Sequence, residues 1–265
     1  MDELVKAEPW RALSQWTSAR IAMGRVGASM PTAAVLEFNL DHAQARDAIH
    51  TPLDTSRMQQ EFEQAGFRTL VARSRARDRS EYLRRPDLGR LLDPLCIAPL
   101  KRDSAAPEGT LTVVVADGLS SLAPASHALA VLRRLRDGLV DWQLDDVVLA
   151  TEARVALADE IGQLRRAEAA LILIGERPGL KSPHSMGAYL TYGPRIGRMD
   201  SERNCISNIR PESLSYDVAV FRLLHLLARA RMLGATGVAL KDDSEDANTL
   251  DIMPGGQRLS DQGIK

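Results

Sequence analysis

Cysteine is scarce in this chain, and its scarcity argues against two classes of protein. Only two cysteines, Cys96 and Cys205, occur among the 265 residues, and they lie far apart. Disulfide scaffolds and structural zinc sites instead carry cysteine, or cysteine and histidine, at short and regular intervals. The 45% of hydrophobic residues is enough for a substantial core, so we expect a globular fold that depends on that core.

A basic excess and a long apolar run are also missing. The 34 basic and 35 acidic residues leave a net charge of -1, whereas a nucleic-acid surface needs clustered positive charge. No apolar run approaches the roughly 20 residues of a membrane-spanning helix. Residues Met1–Lys6 contain no signal-peptide hydrophobic segment. We therefore expect an intracellular protein that binds neither nucleic acid nor membrane.

Signatures of nucleotide binding are a further absence. Asp117-Gly118-Leu119-Ser120 follows an apolar run, but no G-x-G-x-x-G accompanies it, and no G-x-x-x-x-G-K-[ST] occurs. This disfavours a self-sufficient enzyme that uses a nucleotide. Two interpretations of Asp117-Gly118 stay open, a ligand-binding turn and a tight turn with a helix cap. No Ser-His-Asp or Cys-His grouping stands out.

Two alternating periodicities predict an α/β fold for residues 106–242. Continuous apolar runs predict buried strands, and segments with apolar residues at helical spacing separate them. This alternation predicts a doubly wound, mostly parallel sheet flanked by helices, Rossmann-like in class. The predicted strands are 111–116, 147–150, 169–174 and 237–240, and the predicted helices are 124–139, 157–167 and 215–232.

The flanking parts of the chain have a different character. Residues 1–105 read as an N-terminal helical region with connecting segments, including helices near 32–50 and 59–65. Residues 101–109 are the best candidate for a linker. The C-terminal tail, 243–265, is polar and contains a Pro-Gly-Gly, so we expect it to be loose.

Ligand binding is expected at the carboxyl ends of the predicted strands, as in other open parallel sheets. The residues that follow these strands begin with Asp117, Thr151, Gly175 and Lys241. Gly, Pro and Arg are concentrated between residues 174 and 211, more than packing alone requires, as is common in loops that hold a ligand. The unusual segments are therefore predicted to lie on the ligand side of the sheet.

Individual side chains in these segments have functional and structural interpretations. Without further information, Glu176 reads as a surface carboxylate paired with Arg177, and Cys205 as an inert buried residue. Val155 alone would be taken for packing.

The histidines are predicted to be structural. His184, in Ser182-Pro183-His184-Ser185-Met186-Gly187, partly matches the Asp-x-His-x-x-Gly motif of proteins whose histidine ligates the cobalt of cobalamin. Ser182 replaces the Asp that would orient the imidazole, so we expect a solvent-facing loop histidine. The remaining histidines lie in predicted helical stretches: His42, His50, His127 and His225.

An ordered set of motifs, covering most of residues 24–242, resembles one known family. The most specific motifs are Gly175-Glu176-Arg177-Pro178-Gly179-Leu180 and Arg203-Asn204-Cys205-Ile206-Ser207-Asn208-Ile209-Arg210-Pro211. The other matching stretches are Gly24–Ser29, Phe38–His50, Tyr82–Arg90, Ala116–Ser120, Arg154–Gly162, Tyr189–Arg198 and Leu240–Asp242. Together they resemble the small (light) subunit of ethanolamine ammonia-lyase, an adenosylcobalamin-dependent enzyme.

The resemblance implies a lyase that deaminates ethanolamine and related vicinal amino alcohols to the oxo compound and ammonia by a radical mechanism. In that family the large (heavy) subunit carries the substrate site, and the small subunit completes the cobalamin site. The family's cobalamin contacts correspond here to Val155, Glu176 and Cys205. No catalytic residue and no metal ligand of this chain is implied.

The large subunit is the implied partner. Residues from about 20 to 95 contain amphipathic helices and an arginine-rich stretch, Arg68 through Arg90. Arginine is enriched at protein interfaces, whereas lysine is depleted. We expect this region to supply much of the contact with the large subunit, and the strand ends to face the cofactor between the two chains.

The N-terminal segment bears on the expected location of the protein. Some family members have a longer leader that addresses them to a bacterial microcompartment, whereas Met1–Trp16 is short and contains Pro9. The expected location is thus a bacterial microcompartment or the cytoplasm. The competing functions are a self-sufficient nucleotide-dependent enzyme and a non-catalytic scaffold or interaction protein with a doubly wound fold.

Overall fold

A computed structural model describes residues 8–17 and 19–244 of the chain. The strands are β1 (Thr69–Arg73), β2 (Thr110–Ala116), β3 (Gln143–Leu144), β4 (Val147–Thr151), β5 (Ala169–Gly175), β6 (Met186–Tyr192) and β7 (Asn204–Ile209). The α-helices are α1 (Thr32–His50), α2 (Thr55–Gln64), α3 (Arg79–Arg84), α4 (Ile97–Leu100), α5 (Leu122–Gly138), α6 (Leu157–Arg165) and α7 (Tyr216–Leu233). Short 3-10 helices span Pro9–Gln15, Leu88–Arg90, Pro94–Cys96, Asp200–Glu202 and Gly237–Ala239.

All the described strands belong to one sheet, in the order β1-β4-β2-β5-β6-β7 with β3 beside the start of β2. β1, β4, β2 and β5 run parallel, whereas β6 is antiparallel to both of its neighbours, β5 and β7. Every residue of β2 and β5 is buried, because these apolar strands are covered on both faces. The predicted doubly wound, mostly parallel sheet is therefore confirmed.

Helices cover both faces of the sheet, and each face has its own apolar core. On one face, α5 and α7 contribute buried leucines such as Leu132 and Leu223. On the other face, α4 contributes Leu100, and α6 contributes residues such as Ile161. Successive residues of β2 enter the two cores in turn, as the period of a strand requires.

Four strands were not predicted, namely β1, β3, β6 and β7. β1 lies within the first hundred residues, so the expectation that this region is only helical and connecting is wrong for Thr69–Arg73. β1 is an edge strand in which only Ala72 is buried, and its sequence therefore lacks the continuous apolar run of a central strand. β6 and β7 were missed because the surrounding Gly, Pro and Arg residues indicate loops. The sheet thus includes strands from both sides of the expected domain boundary near residue 105. The boundary itself stays a prediction.

The predicted last strand, 237–240, is wrong. Gly237–Ala239 forms a 3-10 helix instead. Gly237 has a φ of 78°, and a Cβ there would lie 2.0 Å from the carbonyl oxygen of Ser201. The backbone therefore turns closely against the preceding loop, in a conformation that glycine permits, and does not extend beside a strand. Lys241 accordingly does not follow a strand.

The expected loose tail lies largely outside the described residues. Its first residue is held, because Asp243 accepts a hydrogen bond from Arg229 at 3.0 Å and lies 2.7 Å from Nε2 of His225. Within residues 8–17 and 19–244, no helix combines the length and apolar character that crossing a membrane requires.

Candidate functional site

The loops after β2 and β5 meet at the carboxyl edge of the parallel strands. Leu119 donates a backbone hydrogen bond to the carbonyl oxygen of Gly175 at 2.9 Å. Gly118 has a φ of 54°, and a Cβ on it would lie 2.2 Å from that same oxygen. Glycine at position 118 therefore allows the two loops to pass in contact. Asp117-Gly118 therefore forms a turn, as both interpretations of the sequence expected.

Glu176, directly after β5, is held by the neighbouring strands. The Ser185 hydroxyl donates to its Oε2 at 2.5 Å, and the backbone N–H of Asn208 lies 3.2 Å from the same oxygen. Glu176 is half-buried, whereas Arg177 is exposed, and no ion pair joins these two side chains. The interpretation of Glu176 as a surface carboxylate paired with Arg177 is therefore wrong. Its carboxylate has a defined position at the edge of the sheet.

Cys205, the second residue of β7, is exposed and not buried. It pairs with Tyr189 of β6, which in turn pairs with Ile172 of β5. Because directly paired residues point to the same side of a sheet, Cys205 and Tyr189 share the face on which α6 packs. The Cys205 Sγ lies 3.2 Å from the Ser207 hydroxyl oxygen.

Val155 lies on the same face, just before the first turn of α6. It is half-buried and packs against the apolar cluster that also contacts Tyr189. Glu176 belongs to this face as well, since a Cβ added to Gly187 would lie 3.1 Å from its Oε1 and 3.2 Å from the Tyr189 ring. The structure therefore brings Val155, Glu176 and Cys205 to one face of the sheet, with Glu176 and Cys205 on either side of Tyr189.

A buried charged cluster lies beside this face, at the ends of β2 and β4. Asp117 accepts hydrogen bonds from the backbone N–H groups of Glu152 and Ala153, at 2.8 and 3.1 Å, and from Arg79 at 3.2 Å. Its side chain caps no helix, so that part of the structural interpretation is wrong. Burial raises the pKa of Asp117 to about 7, although the Arg79 guanidinium opposes the shift. Arg79 also donates to the Ile49 carbonyl at 2.6 Å, which ties α1 to the sheet edge.

Part of the unusual sequence lies at the opposite edge. Tyr192, the last residue of β6, pairs with Ala169, the first residue of β5. The turn that begins at Gly193 is therefore at the amino edge of the parallel strands, because β6 runs antiparallel. Arg198 donates there to the Gly193 carbonyl at 2.9 Å and pairs with Glu202. The expectation that all unusual segments lie on the ligand side is wrong for this one.

The histidines have structural surroundings. His184 is half-buried, and its ring centroid lies 5.9 Å from that of His127. The His127 ring nitrogens lie 2.8 Å from the Tyr216 hydroxyl and 3.0 Å from the His184 carbonyl oxygen. Burial lowers the pKa of His127. The description of His184 as solvent-facing is thus only partly correct. Among the described residues, no group of His, Cys, Asp or Glu could hold a metal ion.

Two residues of this region escaped the sequence analysis. Tyr189 lies in a strand that was not predicted, and Arg79 lies far from Asp117 in sequence. The signals for the first were its place at the start of the matching stretch Tyr189–Arg198 and its alternation with Gly187 and Thr191 in an apolar run. No local pattern could have found the second, because only the fold brings α3 against β2.

The fold and this edge define an α/β protein with a candidate ligand-binding face formed by the end of β5 and by β6 and β7. Over residues 7–241 the chain matches the family described as "Ethanolamine ammonia-lyase light chain (EutC)". It is 51% identical over 244 residues to the ethanolamine ammonia-lyase small subunit of Azotobacter vinelandii, with 90% of each chain covered. Proteins of the same name from Pseudomonas aeruginosa (50% over 241 residues, 89% of this chain and 88% of the relative) and Ralstonia nicotianae (46% over 245 residues, 91% of each) are also similar.

The chain therefore belongs to the ethanolamine ammonia-lyase small-subunit (light-chain) family, and the resemblance seen in the sequence is confirmed. The names of its relatives describe one subunit of a lyase, which implies a second, larger subunit as partner.

Proposed function

We propose that this chain completes the cobalamin site of an adenosylcobalamin-dependent ethanolamine ammonia-lyase. It does so together with a large subunit that holds ethanolamine or a related amino alcohol. The proposed reaction yields the oxo compound and ammonia by a radical mechanism, and the small subunit alone is inactive. The observation that carries the proposal is the common face shared by Val155, Glu176 and Cys205, the positions that correspond to the family's cobalamin contacts.

The residues of this face fit a corrin ring with amide side chains. Glu176 is ordered by Ser185 and Asn208, and a carboxylate accepts hydrogen bonds from an amide N–H. Gly187 allows the Glu176 side chain to lie against the backbone of β6, since a Cβ there would crowd its Oε1 at 3.1 Å. Val155 and Cys205 present small side chains that do not obstruct a broad ligand, and mostly apolar sites with a few placed polar groups are typical of cofactor binding.

Adenosylcobalamin, when bound, supplies the radical by homolysis of its cobalt–carbon bond. The part proposed for this chain is to bind and orient. Glu176 fixes the rotation of the cofactor by accepting an amide hydrogen bond, and Val155 and Cys205 exclude water from the covered surface. His184 is not assigned the role of a cobalt ligand, since its ring packs beside His127 and no carboxylate within residues 8–17 and 19–244 orients it.

Titration of the complex with its large subunit tests the proposal. Glu176→Ala should weaken cobalamin binding by roughly two- to twelvefold, because one hydrogen bond to a neutral amide is worth about 0.5–1.5 kcal/mol. Arg177→Ala, a change at the exposed next residue, is the matched control and should bind normally. Equal affinities of the two variants would contradict the role of Glu176.

The unmodified proteins provide the other arms of this experiment. The isolated chain, given ethanolamine and adenosylcobalamin, should show no turnover, and the complex should bind cobalamin. A complex that binds no cobalamin would favour the alternative function, a non-catalytic scaffold or interaction protein. Location in a bacterial microcompartment or in the cytoplasm stays a prediction, which cell fractionation with the large subunit as marker would test.

A further inference from the structure

We propose that Tyr189 is an additional cobalamin contact, whose ring forms the floor of the cofactor site between Glu176 and Cys205. The inference rests on the proposed function and extends it to a residue that none of the sequence motifs singled out as a contact. Its ground is the position of this side chain on the candidate face.

Tyr189 is the central residue of that face. It lies in β6, in register with Ile172 of β5 on one side and with Cys205 of β7 on the other. Along its own strand, Gly187 occupies the preceding position on the same face, and a Cβ there would lie 3.2 Å from the Tyr189 ring and 3.1 Å from Glu176 Oε1. Tyr189 thus adjoins Cys205 across the strands and Glu176 across Gly187, so a ligand that contacts both has the Tyr189 ring within reach.

The surroundings of Tyr189 leave one side of its ring available. The alternate residues of β6, Met186, Ala188 and Leu190, are buried in the core formed with α5 and α7. Tyr189 instead packs at the border of the core on the α6 side and is half-buried. Its neighbour Cys205 on the edge strand β7 is exposed. The half-buried Tyr189 ring, beside the exposed Cys205, therefore presents apolar surface at this edge of the sheet.

The glycine at position 187 supports the same interpretation. Its lack of a side chain lets the Glu176 carboxylate and the Tyr189 ring close over the backbone, since a Cβ would lie 3.1 Å from Glu176 Oε1 and 3.2 Å from the ring. The carboxylate and the ring are therefore neighbours on this face. A tyrosine side chain offers a large contact area and loses little conformational entropy when it binds a ligand. Such residues therefore often contribute much of the binding energy.

The hydroxyl of Tyr189 is oriented within the protein. Burial, followed by interaction with the neighbouring Cys205 side chain, raises the pKa of Tyr189, so the phenol is neutral throughout the physiological range. We assign the ring to the cofactor because it is half-buried at the border of the α6-side core and lies beside the Glu176 side chain. The distinction between ring and hydroxyl gives the inference its sharpest test.

Three variants of the complex with the large subunit separate the possibilities. Titrations with adenosylcobalamin and with cyanocobalamin, followed by visible absorbance, give the dissociation constants. Tyr189→Ala should raise the constant at least tenfold for both cobalamins, and Tyr189→Phe, which keeps the ring, should change it less than threefold. Tyr192→Phe is the matched control, since Tyr192 lies on the same strand but on the opposite face, with its hydroxyl 3.1 Å from Glu168. It should bind normally.

Each remaining outcome decides the question. If Tyr189→Phe weakens binding as much as Tyr189→Ala, the ring is not the contact and the inference is overturned. If Tyr189→Ala does not assemble with the large subunit, Tyr189→Leu replaces it: at least fivefold weaker binding supports the ring as floor, and unchanged affinity overturns it. Normal binding by Tyr189→Ala, while Glu176→Ala is weakened, overturns this inference and leaves the proposed function intact. Absence of cobalamin binding by the unmodified complex overturns the proposed function itself.

Discussion

At the scale of single residues, Cys205 shows how the fold decides between chemical roles. Arg203 lies two residues before Cys205, and a guanidinium close to a thiol would favour a reactive thiolate. In the structure the Arg203 guanidinium instead pairs with Asp159 and Asp200 and donates to the Arg198 carbonyl at 3.0 Å. The Arg203 guanidinium thus pairs with carboxylates and a carbonyl, not with the Cys205 thiol. Cys205 itself has only a hydroxyl, that of Ser207, and the Tyr189 side chain as polar neighbours among the described residues.

We therefore predict that Cys205→Ser preserves turnover of the complex at saturating cofactor. The substitution removes a polarizable contact but keeps its volume nearly unchanged, so cobalamin affinity should fall by about threefold at most. Steady-state kinetics over a range of adenosylcobalamin concentrations separates the two quantities. Inactivity of a variant that binds the cofactor normally would show that the thiol has a chemical role.

The site residues also show what the sequence could and could not predict. Val155, Glu176 and Cys205 came from motif resemblance, and their common face needed the strand register, because β6 and β7 were not recognised as strands. Asp117 was recognised as part of a turn, but its partner Arg79 is brought to it only by the packing of α3. Local patterns predict neighbours along the chain, whereas pairs such as Asp117 and Arg79 depend on tertiary structure.

At the scale of elements, the buried ion pair between Arg203 and Asp159 connects β7 with α6. Both side chains are almost completely buried, at 2% and 3% exposure. β7 carries Cys205, and Val155 precedes α6, so this pair links the two elements that bear these proposed contacts. Burial raises the pKa of Asp159, and the hydrogen bond from Arg203 opposes that shift. Loss of the arginine would leave a buried carboxylate without its cation.

We predict that Arg203→Met lowers the free energy of unfolding by about 3–5 kcal/mol, the cost typical of removing one partner of a buried pair. The double variant Asp159→Leu/Arg203→Met should recover most of this loss, since it leaves no unpaired charge. Urea denaturation measures both. Arg85→Met, which breaks the exposed pair with Asp87, is the control and should change stability little. A double variant as unstable as the single one would show that packing, not charge, is lost.

The predicted elements were found where the sequence pattern is clear and missed where it is not. The buried central strands β2, β4 and β5 and the long helices α5, α6 and α7 were found, because continuous apolar runs and helical spacing identify them. The edge strand β1 was missed because it is half exposed and mixed in composition. The error at 237–240 had the opposite origin: a short apolar run beginning at Gly237 reads as a strand, but its backbone turns against Ser201.

At the scale of the whole molecule, exposed apolar surface is unevenly distributed. More than half of the large apolar side chains exposed among the described residues precede residue 41, including Trp10 and Trp16. The arginine-rich stretch differs, since Arg73, Arg77 and Arg85 pair with nearby acids. Four of the exposed apolar side chains, Val35, Leu36, Phe38 and Leu40, lie together on α1, and exposed apolar residues that cluster are typical of interaction sites. Within the region expected to dock the large subunit, α1 is therefore the better candidate.

We predict that Leu36→Ser/Leu40→Ser weakens association with the large subunit at least tenfold. The two leucines lie one turn apart on α1 and are 64% and 58% exposed, so they are available to a partner and contribute little to the chain's own core. Removing two apolar contacts of this size exceeds the about 1.4 kcal/mol that a tenfold change requires. Isothermal titration of the purified subunits measures the effect. Met232→Ser/Val238→Ser removes two side chains that are 84% and 88% exposed and lie beyond the docking region, and it is the matched control. If the control weakens association and the α1 variant does not, the large subunit docks against the end of α7 and not against α1.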